Sequence, residues 1–413
     1  MERKVLHVLS QRPGLTGSGV TLDSLIRRAS STGWSQVAVV GAPGDETETY
    51  VGGLPRDRVR PLHFDCGDLD FPVPGMSDVM PYRSMRFSEL DDQRLAAYRK
   101  AWLDHLAVVI EDFRPDIIHA HHVWILGSLL KDVAPDIPVV THCHATGFRQ
   151  MALCPHLAFD VREGCRRNDA FCVLHEGHSD ELVRTLGVAR DQITVVGSGY
   201  RSEIFHARGL PDERDGHILY VGKSSRAKGV PWLLDAVESL AERRPGLVLH
   251  MAGSGAGAEA EEIHRRIERL GGLVVHHGQL AQLELADLMR SSAVCVLPSF
   301  YEGLPLVLVE ALACGCRIVA TNLPGIRNQL VPYLGSAIDL VPMPRMESVD
   351  VPYGPDLPDF VTSLTVTLER ALNAPPIDVN STAFALALGP FTWSRIFSRI
   401  ENLWLDLMEA RSA

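Results

Sequence analysis

Short apolar runs alternate with longer amphipathic segments along almost the whole chain. Brief runs rich in β-branched residues are typical of buried strands in parallel sheets, and the segment at 91–113 has the apolar spacing of a helix. Strand–helix alternation predicts α/β domains with helices on both faces of parallel sheets. The predicted strands are 5–9, 37–40, 116–121, 138–141, 171–174, 193–196, 217–221, 247–251, 274–276, 293–297 and 317–320.

A polar stretch at 211–216 interrupts this alternation, which then starts again. Since 413 residues are too many for one ordinary core, we predict two doubly wound, Rossmann-like domains at 1–210 and 211–390 that face a central cleft. Such sheets bind ligands beyond the carboxyl ends of their strands. The Pro-rich and acidic segment 341–359 is predicted to be an exposed loop.

The last segment, 391–413, contains an amphipathic helix. Its simplest role is to cover one domain. The apolar face comprises Trp393, Ile396, Phe397, Ile400, Leu403, Trp404 and Leu407.

Composition excludes several classes of protein. A net charge of −11 argues against nonspecific binding to nucleic acid or anionic lipid. No run approaches the roughly 18 apolar residues of a transmembrane helix, and the first apolar run is too short for a signal-peptide core. Eight cysteines without a small-domain disulfide framework favour reduced thiols and a cytoplasmic protein.

Cys143, Cys154 and Cys165 recur at equal spacing near several histidines. This recurrence could indicate a metal site. Buried or loop thiols are the favoured interpretation, because no close Cys-x-x-Cys pair is present. Metal binding by these cysteines is left open.

Two carboxylates, Glu302 and Glu310, flank a predicted junction between a loop and a helix. Pro305 suits the first helical turn and Gly315 suits the helix end. A helix that follows a strand and a loop presents free N–H groups at its N-terminus, where anions bind. The sequence therefore predicts an anion site with a carboxylate on each side.

The segment 221–230 also follows a predicted strand and begins a helix. Its cations, Lys223 and Lys228, can converge near the carboxyl end of that strand, where either can neutralise a phosphate as a point charge. Two solvated lysines at a helix start would be the default interpretation of this segment alone. Beside the two glutamates, a phosphate site is favoured.

The run 301–315, with Glu-(seven residues)-Glu followed by Ala-Leu-Ala-Cys-Gly, resembles the signature of retaining glycosyltransferases of GT-B family 4. The resemblance covers nearly the whole chain and is strongest at 221–324. It implies hexosyl transfer from a UDP- or GDP-linked sugar to a small or glycosylated acceptor, without a cofactor. It also implies that the C-terminal helix crosses back onto the first domain.

The resemblance implies a role for individual residues. Lys223 stands where arginine is commoner, Ala227 replaces an acid, and the choice between His142 and His144 at the sugar depends on the register. Gly17 and Gly19 lie in a glycine-rich stretch, for which a plain turn is the competing interpretation. The implied catalytic residues are His144, Lys223, Lys228 and Glu302, the implied donor-binding residues are Gly17, Gly19, Gly278, Gly303, Leu304, Pro305, Leu306 and Glu310, and His121 lies on the acceptor side.

Together these residues predict a metal-free mechanism. The lysines and the helix N-terminus would stabilise the departing diphosphate, while Glu302 positions the sugar ring and Glu310 holds the ribose. Asp68 and Asp70 have the spacing of a metal-binding pair but lie in a poorly patterned loop. A nucleotide-sugar 2-epimerase and a catalytically silent sugar-nucleotide binding protein are the alternatives. The donor base and sugar, the acceptor and the oligomeric state are left open.

Overall fold

The structure, a computed structural model, describes residues 2–14, 16–46, 48–67, 69–78, 80–211, 214–302 and 305–412. The chain forms two compact units. One comprises Met1–Ser198 and Trp393–Ala413, and the other comprises Gly199–Thr392. The predicted domain boundaries lie at 210/211 and 390/391, so the structure moves the first boundary towards the N-terminus and the second by two residues.

The first boundary differs because the segment after Ser198 is bonded to the second unit. The Tyr200 amide donates to the Phe391 carbonyl at 2.9 Å. Within the predicted linker, the Arg214 guanidinium donates to the carbonyls of Ser292 at 2.6 Å and Gly315 at 2.7 Å. These bonds make the segment part of the second unit, although its polar composition is typical of a linker.

The first unit contains a seven-stranded parallel sheet with the order β3-β2-β1-β6-β7-β8-β9. Some of its helices begin at side-chain caps; Asp91, for example, accepts from the Arg94 amide at 2.8 Å at the start of α2. The strands are β1 Lys4–Leu9, β2 Ser35–Pro43, β3 Val59–Phe64, β4 Pro74–Gly75, β5 Met85–Arg86, β6 Ile117–His121, β7 Val139–His142, β8 Ala170–Val173 and β9 Ile193–Val195, and the helices are α1 Gly17–Ser31, α2 Asp92–Phe113, α3 Ile125–Val133, α4 Thr146–Leu153, α5 Pro155–Cys165 and α6 Glu176–Leu186.

The second unit contains a six-stranded parallel sheet with the order β12-β11-β10-β13-β14-β15. Its central strands, β10 and β13, are almost wholly buried, as expected for a sheet covered by helices on both faces. The strands are β10 His217–Val221, β11 Val248–Ala252, β12 Val274–Gly278, β13 Val294–Leu297, β14 Arg317–Thr321 and β15 Ile338–Val341, and the helices are α7 Val230–Ala241, α8 Gly257–Leu270, α9 Gln282–Arg290, α10 Leu306–Ala313, α11 Val331–Leu334, α12 Leu357–Asn373 and α13 Thr382–Leu388.

The predicted fold class is confirmed, with two doubly wound parallel sheets. Every predicted strand is present within three residues of its expected ends. The prediction of a loop at 341–359 is wrong at its C-terminal end, because α12 begins at Leu357. A proline at the second helical position is compatible with the first turn, and Pro358 occupies that position.

The final helix, α14 Trp393–Ser412, belongs to the first unit. Its apolar face buries Ile396 and Ile400 completely. The indole N–H of Trp404 donates to Nδ1 of His119 at 3.0 Å, and that of Trp34 donates to Glu401 at 2.8 Å. Among the helices of the described ranges, α14 included, none is both long and apolar enough to cross a bilayer.

Candidate functional site

Each sheet has one point where the strand order reverses. In the first unit it lies between β1 and β6, and in the second unit it lies between β10 and β13. Loops that leave neighbouring strands in opposite directions open a crevice at the carboxyl ends, where α/β proteins bind ligands. The predicted site residues lie at or after the carboxyl ends of these strands, except that His144 follows β7 and Gly278 ends β12, and they form two sets, one in each unit.

In the second unit, the loops after β10 and β13 meet. The Phe300 amide donates to the Ala227 carbonyl at 3.0 Å, which ties the two loops together. Nζ of Lys228 donates to Oε1 of Glu302 at 2.7 Å, and the two side chains are 26% and 16% exposed. The structure thus joins two of the predicted catalytic residues in a half-buried ion pair, although the sequence predicts them only as separate groups.

The backbone of Lys223 is linked to the same region of the site by Tyr220. The hydroxyl of the buried Tyr220 donates to the Lys223 carbonyl at 2.7 Å. Burial raises the pKa of Tyr220, and the nearby negative charge of Glu302 raises it further. The lysine loop is therefore anchored to β10 by a neutral phenol that stands close to the Glu302 carboxylate.

Two glycines allow the loops at this edge to approach one another. Gly229 has φ +72°, and a Cβ there would lie 2.1 Å from the Pro298 carbonyl oxygen. Gly253, after β11, has φ +131°, and its Cβ would lie 2.0 Å from the Gly222 carbonyl oxygen. Both positions exclude a side chain for steric reasons. This constraint was not predicted from the sequence, since nothing local to either glycine indicates its distant neighbour.

Replacing Gly229 with alanine should destabilise the protein. The new Cβ would clash with Pro298 and would also adopt a left-handed φ, so we expect the free energy of unfolding to fall by roughly 2–4 kcal/mol. Gly209→Ala is the matched control, because Gly209 has φ +70° with nothing within 4 Å of its Cβ position. Urea unfolding of both variants separates the two effects, and equal losses would contradict the steric account.

Glu310 is part of α10 and is 9% exposed. No side chain or amide in the described ranges hydrogen-bonds its carboxylate, and burial raises the pKa of Glu310 to about 7. Polar groups that are buried without partners are costly, so such a group is commonly retained for a ligand. A carboxylate of this kind can accept hydrogen bonds from two adjacent hydroxyl groups.

The helix that carries Glu310 begins one residue later than expected. Pro305 is the N-cap of α10 and is buried, Leu306 is the first helical residue, and Gly315 follows the helix end with φ +86°. The first amides of α10 are oriented towards the loop after β13. Gly303 and Leu304, two predicted donor-binding residues, lie outside the described residues.

Gly278 ends β12 beside a cavity of about 720 Å³. The Gly253 amide donates to the Gly278 carbonyl at 2.7 Å, so the loops after β11 and β12 are bonded to each other. Helix α8 forms the opposite wall. The lining includes Ser224, Gly255, His264, His276 and Gly278.

Gly17 and Gly19 lie within α1, in contrast to the loop predicted for them. The Thr16 hydroxyl caps this helix by accepting from the Gly19 amide at 3.2 Å. A Cβ on Gly19 would lie 2.5 Å from the Gly14 nitrogen, so packing against the preceding turn requires a glycine there. Gly17 has no atom within 4 Å of its Cβ position, which leaves its side of the helix N-terminus open.

The predicted histidines of the first unit are in contact with each other. Nδ1 of His121, at the end of β6, lies 2.9 Å from Nε2 of His144, which follows β7. His121 is 2% exposed, whereas His144 is half-buried. Burial holds the pKa of both imidazoles well below the usual value, and the neighbouring histidines lower it further. Of the two alternatives for the residue at the sugar, His142 is buried and His144 is half-buried.

The cysteines with possible metal-binding spacing are buried thiols. Cys143 and Cys165 are fully buried, and burial raises the pKa of Cys143 to about 12. The cluster of potential metal ligands found among the described residues contains no cysteine. Of the predicted acidic pair, Asp70 is exposed, and Asp68 lies outside the described residues.

Comparison with known proteins identifies the family of the chain that carries these two sets of residues. Residues 215–334 match the family described as glycosyl transferases group 1, and residues 16–199 match the glycosyl transferase 4-like domain. The D-inositol 3-phosphate glycosyltransferase of Paenarthrobacter aurescens is 30% identical over 293 residues, which are 63% of this chain and 70% of that protein. The glycogen synthase of Mycobacterium tuberculosis is 29% identical over 53% of this chain and 55% of its own length.

Solved structures extend the similarity of fold to the whole chain. The sucrose-phosphate synthase of Thermosynechococcus elongatus matches with a TM-score of 0.74 at 18% identity, over 99% of this chain and 100% of that one. Anabaena Alr3699/HepE in complex with UDP and glucose matches with a TM-score of 0.64 at 17% identity, over 98% and 100%. The fold is therefore GT-B. The chain belongs to the group 1 glycosyltransferases, and the predicted transferase class is confirmed.

Proposed function

We propose that this glycosyltransferase moves a sugar from a UDP- or GDP-linked donor to a small or glycosylated acceptor, with retention at the anomeric carbon. The observation that carries the proposal is the buried Glu310 carboxylate, which has no partner in the described ranges. The two ribose hydroxyls of a nucleotide would satisfy it. The similar fold of Anabaena Alr3699/HepE, which was solved in complex with UDP and glucose, supports a donor of this class.

Departure of the diphosphate builds negative charge on its leaving oxygen. Lys228, Lys223 and the N-terminal amides of α10 supply positive charge at the carboxyl ends of β10 and β13. Glu302 holds Lys228 and accepts hydrogen bonds from the sugar ring. In this mechanism the leaving phosphate takes the proton of the acceptor hydroxyl, so no separate general base is required.

A thermal-shift screen of nucleoside diphosphates and their sugars tests the donor assignment. A ligand at 100 times its dissociation constant stabilises the protein by about 2.7 kcal/mol, which raises the melting temperature measurably. Uridine diphosphate or guanosine diphosphate, or a sugar derivative of one of them, should give the largest shift. Incubation of the chosen donor without acceptor then distinguishes the alternatives. A 2-epimerase would turn over the donor to free nucleoside diphosphate or an epimerised donor, the transferase would hydrolyse the donor only slowly, and a silent binding protein would leave the donor intact.

We expect the transfer reaction to need no divalent cation at the diphosphate, because two lysines and a helix N-terminus already provide positive charge. Activity should survive prolonged EDTA treatment, and added Mg²⁺ or Mn²⁺ should change it by less than about twofold. The assay needs Zn²⁺ as a separate arm, since the first unit contains a histidine cluster. A loss that Mg²⁺ or Mn²⁺ restores and Zn²⁺ does not would contradict the metal-free mechanism.

The reaction is proposed to take place in the cytoplasm. All eight cysteines are unpaired, and seven of them are buried. Unpaired thiols are typical of proteins in a reducing compartment.

A further inference from the structure

Three histidines at the carboxyl ends of β6 and β7 bring their ring nitrogens into one small volume. One nitrogen from each of His121, His142 and His144 lies within 4.8 Å of the other two. The three ring planes are within 12° of parallel, with centroids 4.5–5.7 Å apart, so the rings must turn before their in-plane lone pairs converge on one point. The parallel pairing of β6 with β7 places His121 directly beside His142, so the register of the sheet assembles the cluster.

Three ring nitrogens of this cluster, one on His121 and both on His142, have no hydrogen-bond partner in the described part of the chain. His142 is 1% exposed, and neither of its ring nitrogens has a hydrogen-bond partner in the described part of the chain. Nε2 of His121 is likewise unpartnered. His119 and His122 resemble His121, since each has one bonded nitrogen, to Trp404 and Thr146 respectively, and an unpartnered Nε2, whereas His142 has no bonded nitrogen. Buried polar atoms normally find partners, so the unpartnered atoms of His142 indicate a missing ligand.

Backbone strain coincides with the same residues. His122, directly after His121, has φ +74°, and Ala145, directly after His144, has φ +67°. A left-handed conformation is unfavourable for both residue types and costs of order 1 kcal/mol or more. Strain of this kind persists where the surrounding structure requires it. His122 directly follows β6, and Ala145 is the N-cap of α4.

We propose that His121, His142 and His144 bind a divalent transition metal of the Zn²⁺ class. Neutral imidazole suits zinc, copper, nickel or iron, whereas Mg²⁺ and Ca²⁺ prefer oxygen ligands, which the cluster does not offer. Tetrahedral zinc, with Zn–N bonds of about 2.0–2.1 Å, separates neighbouring ligand nitrogens by about 3.3 Å. In the structure Nδ1 of His121 and Nε2 of His144 are 2.9 Å apart in a hydrogen bond, so metal binding requires these nitrogens to separate slightly and the rings to turn out of their parallel arrangement.

The proposed metal ligands differ from the residues that are proposed to hold the nucleotide, although His144 is also the residue that the resemblance implies at the sugar. The metal ligands all belong to the first unit, whereas Lys223, Lys228, Glu302 and Glu310 belong to the second. Three protein ligands leave a fourth position for water or another oxygen ligand. His144 is the half-buried member, so the ion exchanges with solvent on its side of the cluster.

The test measures zinc binding directly, without an activity assay. The full chain carries Cys66→Ser, because Cys66 is the exposed thiol that would bind zinc adventitiously. After removal of metal by a chelator, calorimetry with ZnCl₂ and elemental analysis after dialysis should give one zinc per chain. His142→Ala and His144→Ala should each weaken zinc binding at least about 100-fold, since loss of even an outer-shell partner costs 10–100-fold.

His105→Ala is the matched control. His105 is a half-buried histidine of the same unit whose Nε2 contacts the Arg60 carbonyl at 3.1 Å, so its loss should leave zinc affinity unchanged. Circular dichroism identifies variants that fail to fold. If His142→Ala does not fold, the accessible His144→Ala still decides the question. The proposal is overturned if the folded parent protein binds no stoichiometric zinc, or if folded His144→Ala binds it with the parent's affinity.

Discussion

Lys228→Ala is expected to lower kcat by about 10²–10³-fold while changing the KM for donor much less. The lysine lies 2.7 Å from Glu302 at the edge of β10 and β13, where the diphosphate is proposed to depart. Charge on the leaving oxygen grows towards the transition state, so the ammonium contributes more there than in the ground state. Steady-state kinetics with the donor chosen by the thermal-shift screen gives both constants.

The ion pair makes a second variant necessary. Removing Lys228 leaves Glu302 without its cation, and the unpaired carboxylate alone could repel a diphosphate. Glu302→Gln removes that charge, so the double variant isolates the role of the lysine. If the double variant recovers the rate of Glu302→Gln, Lys228 serves only to neutralise Glu302 and the proposed role is wrong. Arg243→Ala, which removes an exposed cation of the same unit, should change kcat by less than about twofold.

Glu310→Gln should weaken the binding of the nucleoside diphosphate without unfolding the protein. A charged hydrogen-bond acceptor contributes roughly 1.5–3 kcal/mol, which corresponds to a rise in Kd of about 10–150-fold. Stability should not fall, because the carboxylate is buried without a partner in the described ranges, and glutamine removes the cost of a buried charge. Calorimetry and urea unfolding measure the two quantities separately.

The raised pKa of Glu310 adds a pH signature. Its folded value of about 7 lies above the ordinary 4.5, so the ionised form destabilises the folded state above about pH 7, and this penalty disappears as the pH falls towards 4.5. Because ribose hydroxyls bind the ionised form, nucleotide affinity should decrease as the pH falls below about 7. Glu369→Gln, which removes a partly exposed carboxylate of the same unit, should retain this pH dependence. If Glu310→Gln showed the same pH dependence of nucleotide affinity, the assignment of Glu310 to the ribose hydroxyls would be wrong.

The central strands of both sheets were predictable because buried parallel strands are continuous apolar runs. The strands that were not predicted lie mainly at edges. β3 contains Pro61, which an edge strand tolerates because one row of its backbone groups is not paired. β15 is a four-residue edge strand whose Asp339 is ion-paired with Arg370. The sequences of β3 and β15 do not resemble a buried strand, so these two strands are explained only by their positions at the edges of the sheets.

Site residues divide along similar lines. Lys228, Glu302 and Glu310 were recognisable because short motifs after strands place them near a helix start. Their pairing was not, since Lys228 and Glu302 are 74 residues apart and meet only through the order of β10 and β13. The same is true of the contact between Gly229 and Pro298. The local sequence pattern indicates which residues lie at strand ends and helix starts. The sheet topology decides which of these residues become neighbours in space.

The histidine cluster illustrates a further limit. His121 and His144 were selected from resemblance, as residues near the acceptor and the sugar. His142 and His144 were alternatives for the residue at the sugar, because the register of the alignment was open. The structure places both of them in one group with His121. Adjacent strands in register can gather side chains that no linear motif contains.

The most direct test of the central claim is the anomeric configuration of the product. The purified chain is incubated with the sugar-nucleotide that gives the largest thermal shift and with a panel of small hydroxylated acceptors. Proton NMR then follows the anomeric signal of the transferred sugar and the release of nucleoside diphosphate. We predict an α-linked glycoside from an α-linked donor, formed in step with the diphosphate and lost in Lys228→Ala. A β-linked product from the same donor would contradict the retaining mechanism.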